Sequence, residues 1–81
     1  MKFYVQFYTR NLKDHIVELC GSDGVFILDG RNKLSTMIQD AKERIFKLRF
    51  IHPNLKLFTI NEGNLKDYTI IYSNFNKDLL S

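Results

Sequence analysis

The sequence predicts an α+β fold: one domain in which a mostly antiparallel sheet of about five strands carries a single helix on one face, in the order β-β-β-α-β-β. Three features predict it. An alternating segment opens the chain, the apolar period changes to three and four residues from Leu34, and β-prone runs return after Pro53. With 81 residues the chain has room for one core, because two would each fall below the size that folds unaided.

The first strand is predicted at Lys2–Tyr8, where Phe3, Val5 and Phe7 alternate with Tyr4, Gln6 and Tyr8. The polar run 9–14 reads as a loop. His15–Cys20 and Val25–Leu28 are β-prone runs on either side of Gly21-Ser22-Asp23-Gly24, whose Asp-Gly pair suits a tight hairpin. Asp29-Gly30-Arg31-Asn32 ends the third strand with another turn signal.

Leu34, Met37, Ile38, Ala41, Ile45, Leu48 and Ile51 recur at helical spacing and define one apolar stripe. Thr36 as N-cap with Gln39 at N3 has the spacing of a capping box. Pro53 keeps His52 out of helical geometry, so the helix is expected to stop near Phe50 or Ile51. Leu55–Ile60 and Tyr68–Tyr72, with Asn61-Glu62-Gly63-Asn64 between them, read as a second hairpin. Residues 1–73 are thus the domain and 74–81 a polar tail, expected to be partly disordered or a short docked tail.

Eleven aromatics, seven Phe and four Tyr, supply enough apolar area for a core without disulfides. Cys20 is the only cysteine, which favours a reducing compartment. The N-terminal segment lacks the continuous apolar stretch of a signal peptide, and no run is long enough to span a membrane. The expectation is a soluble, cytoplasmic protein with no membrane association.

Few constellations could carry chemistry. A thiol nucleophile would require Cys20 to pair with His15 or His52, and nothing in the sequence indicates a lowered thiol pKa. Two histidines and one cysteine fall short of a closed zinc site, Asp23 and Asp29 sit in turn sequences rather than a calcium loop, and no glycine-rich phosphate loop precedes a helix. The chain is therefore expected to be no enzyme, with no metal and no cofactor.

Two features point to binding instead. Residues 31–56 contain seven basic side chains (Arg31, Lys33, Lys42, Arg44, Lys47, Arg49 and Lys56) against only Asp40 and Glu43, whereas the remainder has five basic and seven acidic residues. Lys42, Arg44, Lys47 and Arg49 on the helix form a candidate stripe for phosphates or an acidic protein. The acid-first pairs Asp40 with Arg44 and Glu43 with Lys47 offer the alternative of a solvated face with internal ion pairs. Tyr4 with Tyr8, and Tyr68 with Tyr72, share a face of their predicted strands, and on neighbouring strands they would form an exposed aromatic surface for bases or a protein partner. Otherwise they close the edge of the core with hydroxyls in water.

The stretches 24–31 (GVFILDGR), 36–54 (TMIQDAKERIFKLRFIHPN), 58–63 (FTINEG) and 70–72 (IIY), with their Lys, Asn, Ile and Phe bias, resemble in style the small reading frames of bacteriophages. The resemblance carries no diagnostic motif and transfers no site. It implies stoichiometric binding, for instance to a host protein or protein–nucleic acid complex such as a defence system. Direct nucleic-acid binding through the basic helix and sheet tyrosines is the alternative expectation. A homodimer is a further expectation, through pairing of the first or last strand with its copy if either lies at a sheet edge.

Overall fold

The computed structural model describes residues 2–80, so Ser81 of the predicted tail lies outside the described residues. The fold is α+β, with a five-stranded antiparallel sheet and one helix. Strand β1 (Phe3–Arg10) is central. On one side it pairs with β4 (Leu57–Gly63), which in turn pairs with β5 (Tyr68–Ser73) at the outer edge. On its other side it pairs with two short strands, β2 (Ile16–Glu18) and β3 (Val25–Leu28). Because β1 is flanked on both sides it cannot pair with a copy of itself, so of the two strands proposed for self-pairing only β5 is an edge.

The tight hairpin expected at residues 21–24 does not form. Both β2 and β3 run antiparallel to β1 along the same side of it, Glu18 facing Tyr8 and Val25 facing Gln6. Leu19 continues the ladder by donating from its amide to the Phe7 carbonyl at 2.9 Å, and the chain then loops out before returning at Val25. A type I′ hairpin turn at Asp23-Gly24 needs positive φ at both residues, and a type II′ turn needs it at the first. Neither adopts it; they belong to a 3-10 turn, Ser22–Gly24, where Gly24 packs so closely on the Leu19 carbonyl that a Cβ would overlap it. The hairpin of this region joins β1 to β2 instead. Its turn is shaped by the Asn11 side-chain oxygen, which accepts from the Lys13 and His15 amides, and by Asp14 at φ 62°.

Helix α1 spans Leu34–Leu48. Its N-cap is Lys33, with no side-chain cap, so Thr36 and Gln39 lie within the helix and not at its cap. The apolar stripe is buried at Met37, Ala41, Ile45 and Leu48, but its predicted ends are not: Leu34 and Ile51 are exposed. These side chains meet Val5, Phe7, Leu28, Phe58 and Ile60 from the sheet and Leu55 from the connection to β4. Each fully buried Phe or Ile contributes about 1.5–3 kcal/mol relative to its exposed state, and Phe7, Phe58 and Ile60 are completely enclosed.

His52, after the helix, lies 3.3 Å from the Asp23 carboxylate and ties the helix end to the looped-out segment. Beyond β5 the tail is docked. The Asn74 amide group donates to the Lys56 carbonyl at 2.8 Å and its oxygen accepts from the Phe58 amide at 2.9 Å, which carries Phe75 onto Tyr8 with ring centroids 5.4 Å apart.

Candidate functional site

The four basic helix residues do not form one stripe. At about 100° per residue, Lys42 and Arg49 project from one side of the helix, whereas Arg44 and Lys47 project from the other. Two of them are engaged with the protein itself: the Arg44 guanidinium stands 5.2 Å over the Phe26 ring, and the Arg49 Nε donates to the Leu55 carbonyl at 3.3 Å. Among the described residues neither Asp40 with Arg44 nor Glu43 with Lys47 forms an ion pair. Lys42 and Lys47 are left exposed and free of such pairing.

Between these flanks the outward side of the helix carries Phe46, and the turn that follows its C-cap carries Phe50, exposed at 74% and 91%. Ile51, at 66%, adjoins them. Large apolar side chains grouped in this way are unusual on the solvent side of a monomer and mark interaction surfaces. The sequence carried the signal. Phe46 and Phe50 share a mutual spacing of four but fall outside the buried seam of Met37, Ala41, Ile45 and Leu48, so they formed a second apolar stripe on the polar side.

The tyrosines divide differently from the expectation. In β5 the ladder slips: Ile60 faces Tyr72, but the next residue, Asn61, faces Ile70, so Ile71 is an extra residue. Tyr72 therefore turns to the helix side, where its ring meets Phe58 at 5.7 Å, while Tyr68 stays on the opposite face, edge-on to Tyr4 at 6.1 Å. Tyr4 and Tyr8 do share a face, yet they are 3% and 1% exposed, Tyr8 being covered by Phe75. Of the four rings only Tyr68 offers much surface, and no aromatic platform is formed.

The face away from the helix is covered by loops rather than by a second layer. Along β1 and β4 it presents Tyr4, Gln6, Tyr8, Thr59 and Asn61, all buried. Above Tyr4 lies a cleft of about 350 Å³ bounded by Gln6, Leu19, Val25, Asn61, Leu65 and Tyr68. It adjoins a larger apolar hollow of about 800 Å³, reached past Tyr4 and Leu65, that runs to Ile27, Leu28, Lys2 and Lys66. Burial pushes the Tyr4 hydroxyl above the ordinary tyrosine value of 10.0, and the neighbouring Asn61 amide opposes part of that shift. The two groups nevertheless lack hydrogen-bond geometry: the Tyr4 hydroxyl donates to the Asn64 carbonyl at 3.4 Å, and both Oδ1 and Nδ2 of Asn61 are buried without a partner. An unmet buried polar group costs about 1–3 kcal/mol. Asn61 is 1% exposed, so the cost is not relieved at the surface.

Cys20 is exposed on the rim of this cleft, while His52 is turned to Asp23; no histidine borders the cleft. Among the described residues no helix is long and apolar enough to cross a membrane. No protein-family model, curated protein or solved structure matches the chain.

Proposed function

We propose that the chain is a small, non-enzymatic binding protein that docks stoichiometrically, through the outward face of its helix, onto an acidic surface of a partner protein. The observation that carries this reading is the exposure of Phe46 and Phe50 between the free lysines Lys42 and Lys47. Apolar anchors flanked by lysines, with Glu43 as the acid among them, have the anatomy of a protein contact: the rings supply affinity on desolvation, and the net positive charge steers the approach.

A copy of the chain fits this surface poorly, because self-association would place Lys42, Lys47 and Arg49 against the same charges. An anionic bilayer fits less well too, since Glu43 projects from the same outward side as the phenylalanines, by helical spacing. Nucleic acid is disfavoured by the division of the four basic residues between two flanks and by the engagement of Arg44 and Arg49 within the fold. A host protein complex remains the natural class of partner for such a module.

The test compares wild type with the double substitution Phe46→Ser and Phe50→Ser as immobilised baits. A partner retained in near-equal amount by wild type and lost from the folded double variant supports the reading. Labelled single- and double-stranded DNA and RNA, titrated at low salt and followed by anisotropy, provide the opposing arm. Tight binding there that falls with Lys42→Ala and Lys47→Ala would replace the protein partner with nucleic acid.

A further inference from the structure

The cleft on the opposite face of the sheet is independent of the helix surface, and its floor is the one place where a complete amide has neither solvent nor a protein partner among the described residues. Asn61 offers a donor, Nδ2–H, and an acceptor, Oδ1, side by side. Around it stand apolar walls from Leu19, Val25 and Leu65 and the rings of Tyr4 and Tyr68. Gln6, whose amide nitrogen is committed to the Phe7 carbonyl, and Glu18 also line the cleft. A site with largely apolar walls and one unpaired amide at its floor selects a flat molecule that carries an acceptor and a donor on a single edge.

We propose that this cleft binds a nucleobase, held by a bidentate pair of hydrogen bonds to the Asn61 amide. Adenine is the fitting case: its N6 amino group donates to Oδ1 while N7 accepts from Nδ2, the pairing by which asparagine reads adenine. The volume of about 350 Å³ lies at the small end of ligand sites, which suits one base and not a larger cofactor. Entry requires the Tyr68 ring to turn aside. That ring belongs to the outer strand, is 38% exposed, and is packed edge-on against Tyr4.

The probe is adenosine, titrated into isotopically labelled protein while the side-chain amide resonance of Asn61 is followed. A saturable shift is expected. Purine riboside, which lacks the 6-amino group, is expected to bind about tenfold more weakly through loss of one hydrogen bond. Asn61→Leu, which removes the unmet polar group, is expected to leave thermal stability unchanged or raised and to abolish the accompanying shifts of the backbone amides of Leu19, Val25 and Leu65, a readout that survives loss of the Asn61 side chain. A short single-stranded oligoadenylate separates the sources. A response to it that requires Asn61 while adenosine gives none assigns the base to a nucleic-acid strand, and a response to adenosine itself assigns a free nucleoside. Absence of any shift with both ligands, or equal binding of adenosine and purine riboside to wild type, would overturn the proposal even if the Asn61 variant failed to fold.

Discussion

Tyr68 and Tyr72 stand four residues apart on one strand and yet face opposite sides of the sheet, because Ile71 is an extra residue in the ladder with β4. One ring closes the core against Phe58 and the other edges the open face beside Tyr4. The bulge also disturbs the outer edge of β5, one of the sheet's edge strands, and such irregularities blunt edge-to-edge association.

Deleting Ile71 is therefore expected to be tolerated. Without it Tyr72 still faces Ile60 and Ile70 still faces Asn61, so every buried side chain keeps its side. Deleting Thr59 from β4, where no extra residue exists, moves Phe58 to the wrong face and should unfold the domain. Circular dichroism in the near and far ultraviolet distinguishes the two variants.

Alkali should destabilise the protein through Tyr4 and Tyr8. Burial raises both hydroxyls above 10.0, so the folded state holds these protons after the unfolded chain has released them. Stability is complete below the unfolded value and falls as pH rises from it through the folded values. Tyr8→Phe removes one such group and loses only the long 3.5 Å contact between its hydroxyl and that of Thr59. Melting temperature against pH should accordingly fall less steeply for Tyr8→Phe than for wild type above about pH 10.

Gly24→Ala tests the looped-out segment. The new methyl group would meet the Leu19 carbonyl, and shifting that residue's backbone disturbs the hydrogen bond its own amide donates to the Phe7 carbonyl. The expected cost is about 1–3 kcal/mol, as for overpacking elsewhere, read from urea denaturation. A glycine that served only an ordinary hairpin turn at φ below zero would tolerate alanine with little loss.

Most of the architecture was legible because its cues were local. Alternation at Phe3, Val5 and Phe7 and the seam from Met37 to Leu48 each specified an element without reference to the rest of the chain, whereas the turn read at Asn61-Glu62-Gly63-Asn64 begins only after Gly63, its first three residues being paired in β4. The N-cap at Lys33 in place of Thr36 is a local failure; the others involve relations between elements. Asp23-Gly24 has the composition of a hairpin turn, but Leu19 pairs with Phe7 on β1 and fixes β3 to the same neighbour. Spacing assigned Tyr68 and Tyr72 to one face, and no residue in β5 signals that Ile71 is supernumerary. Arg44 looked free until the sheet placed Phe26 beneath it. Phe46 and Phe50, by contrast, are readable from the helical spacing alone, since they fall outside the buried seam and among charged residues.

Binding kinetics of a captured partner, measured by surface plasmon resonance at two ionic strengths against wild type, Phe46→Ser and Lys47→Glu, address the docking surface directly. Phe46→Ser is expected to weaken binding by about 30-fold or more, chiefly through faster dissociation. Lys47→Glu is expected to slow association and flatten its dependence on salt. Unchanged dissociation with Phe46→Ser would contradict helix-face docking and move the contact to the open face of the sheet.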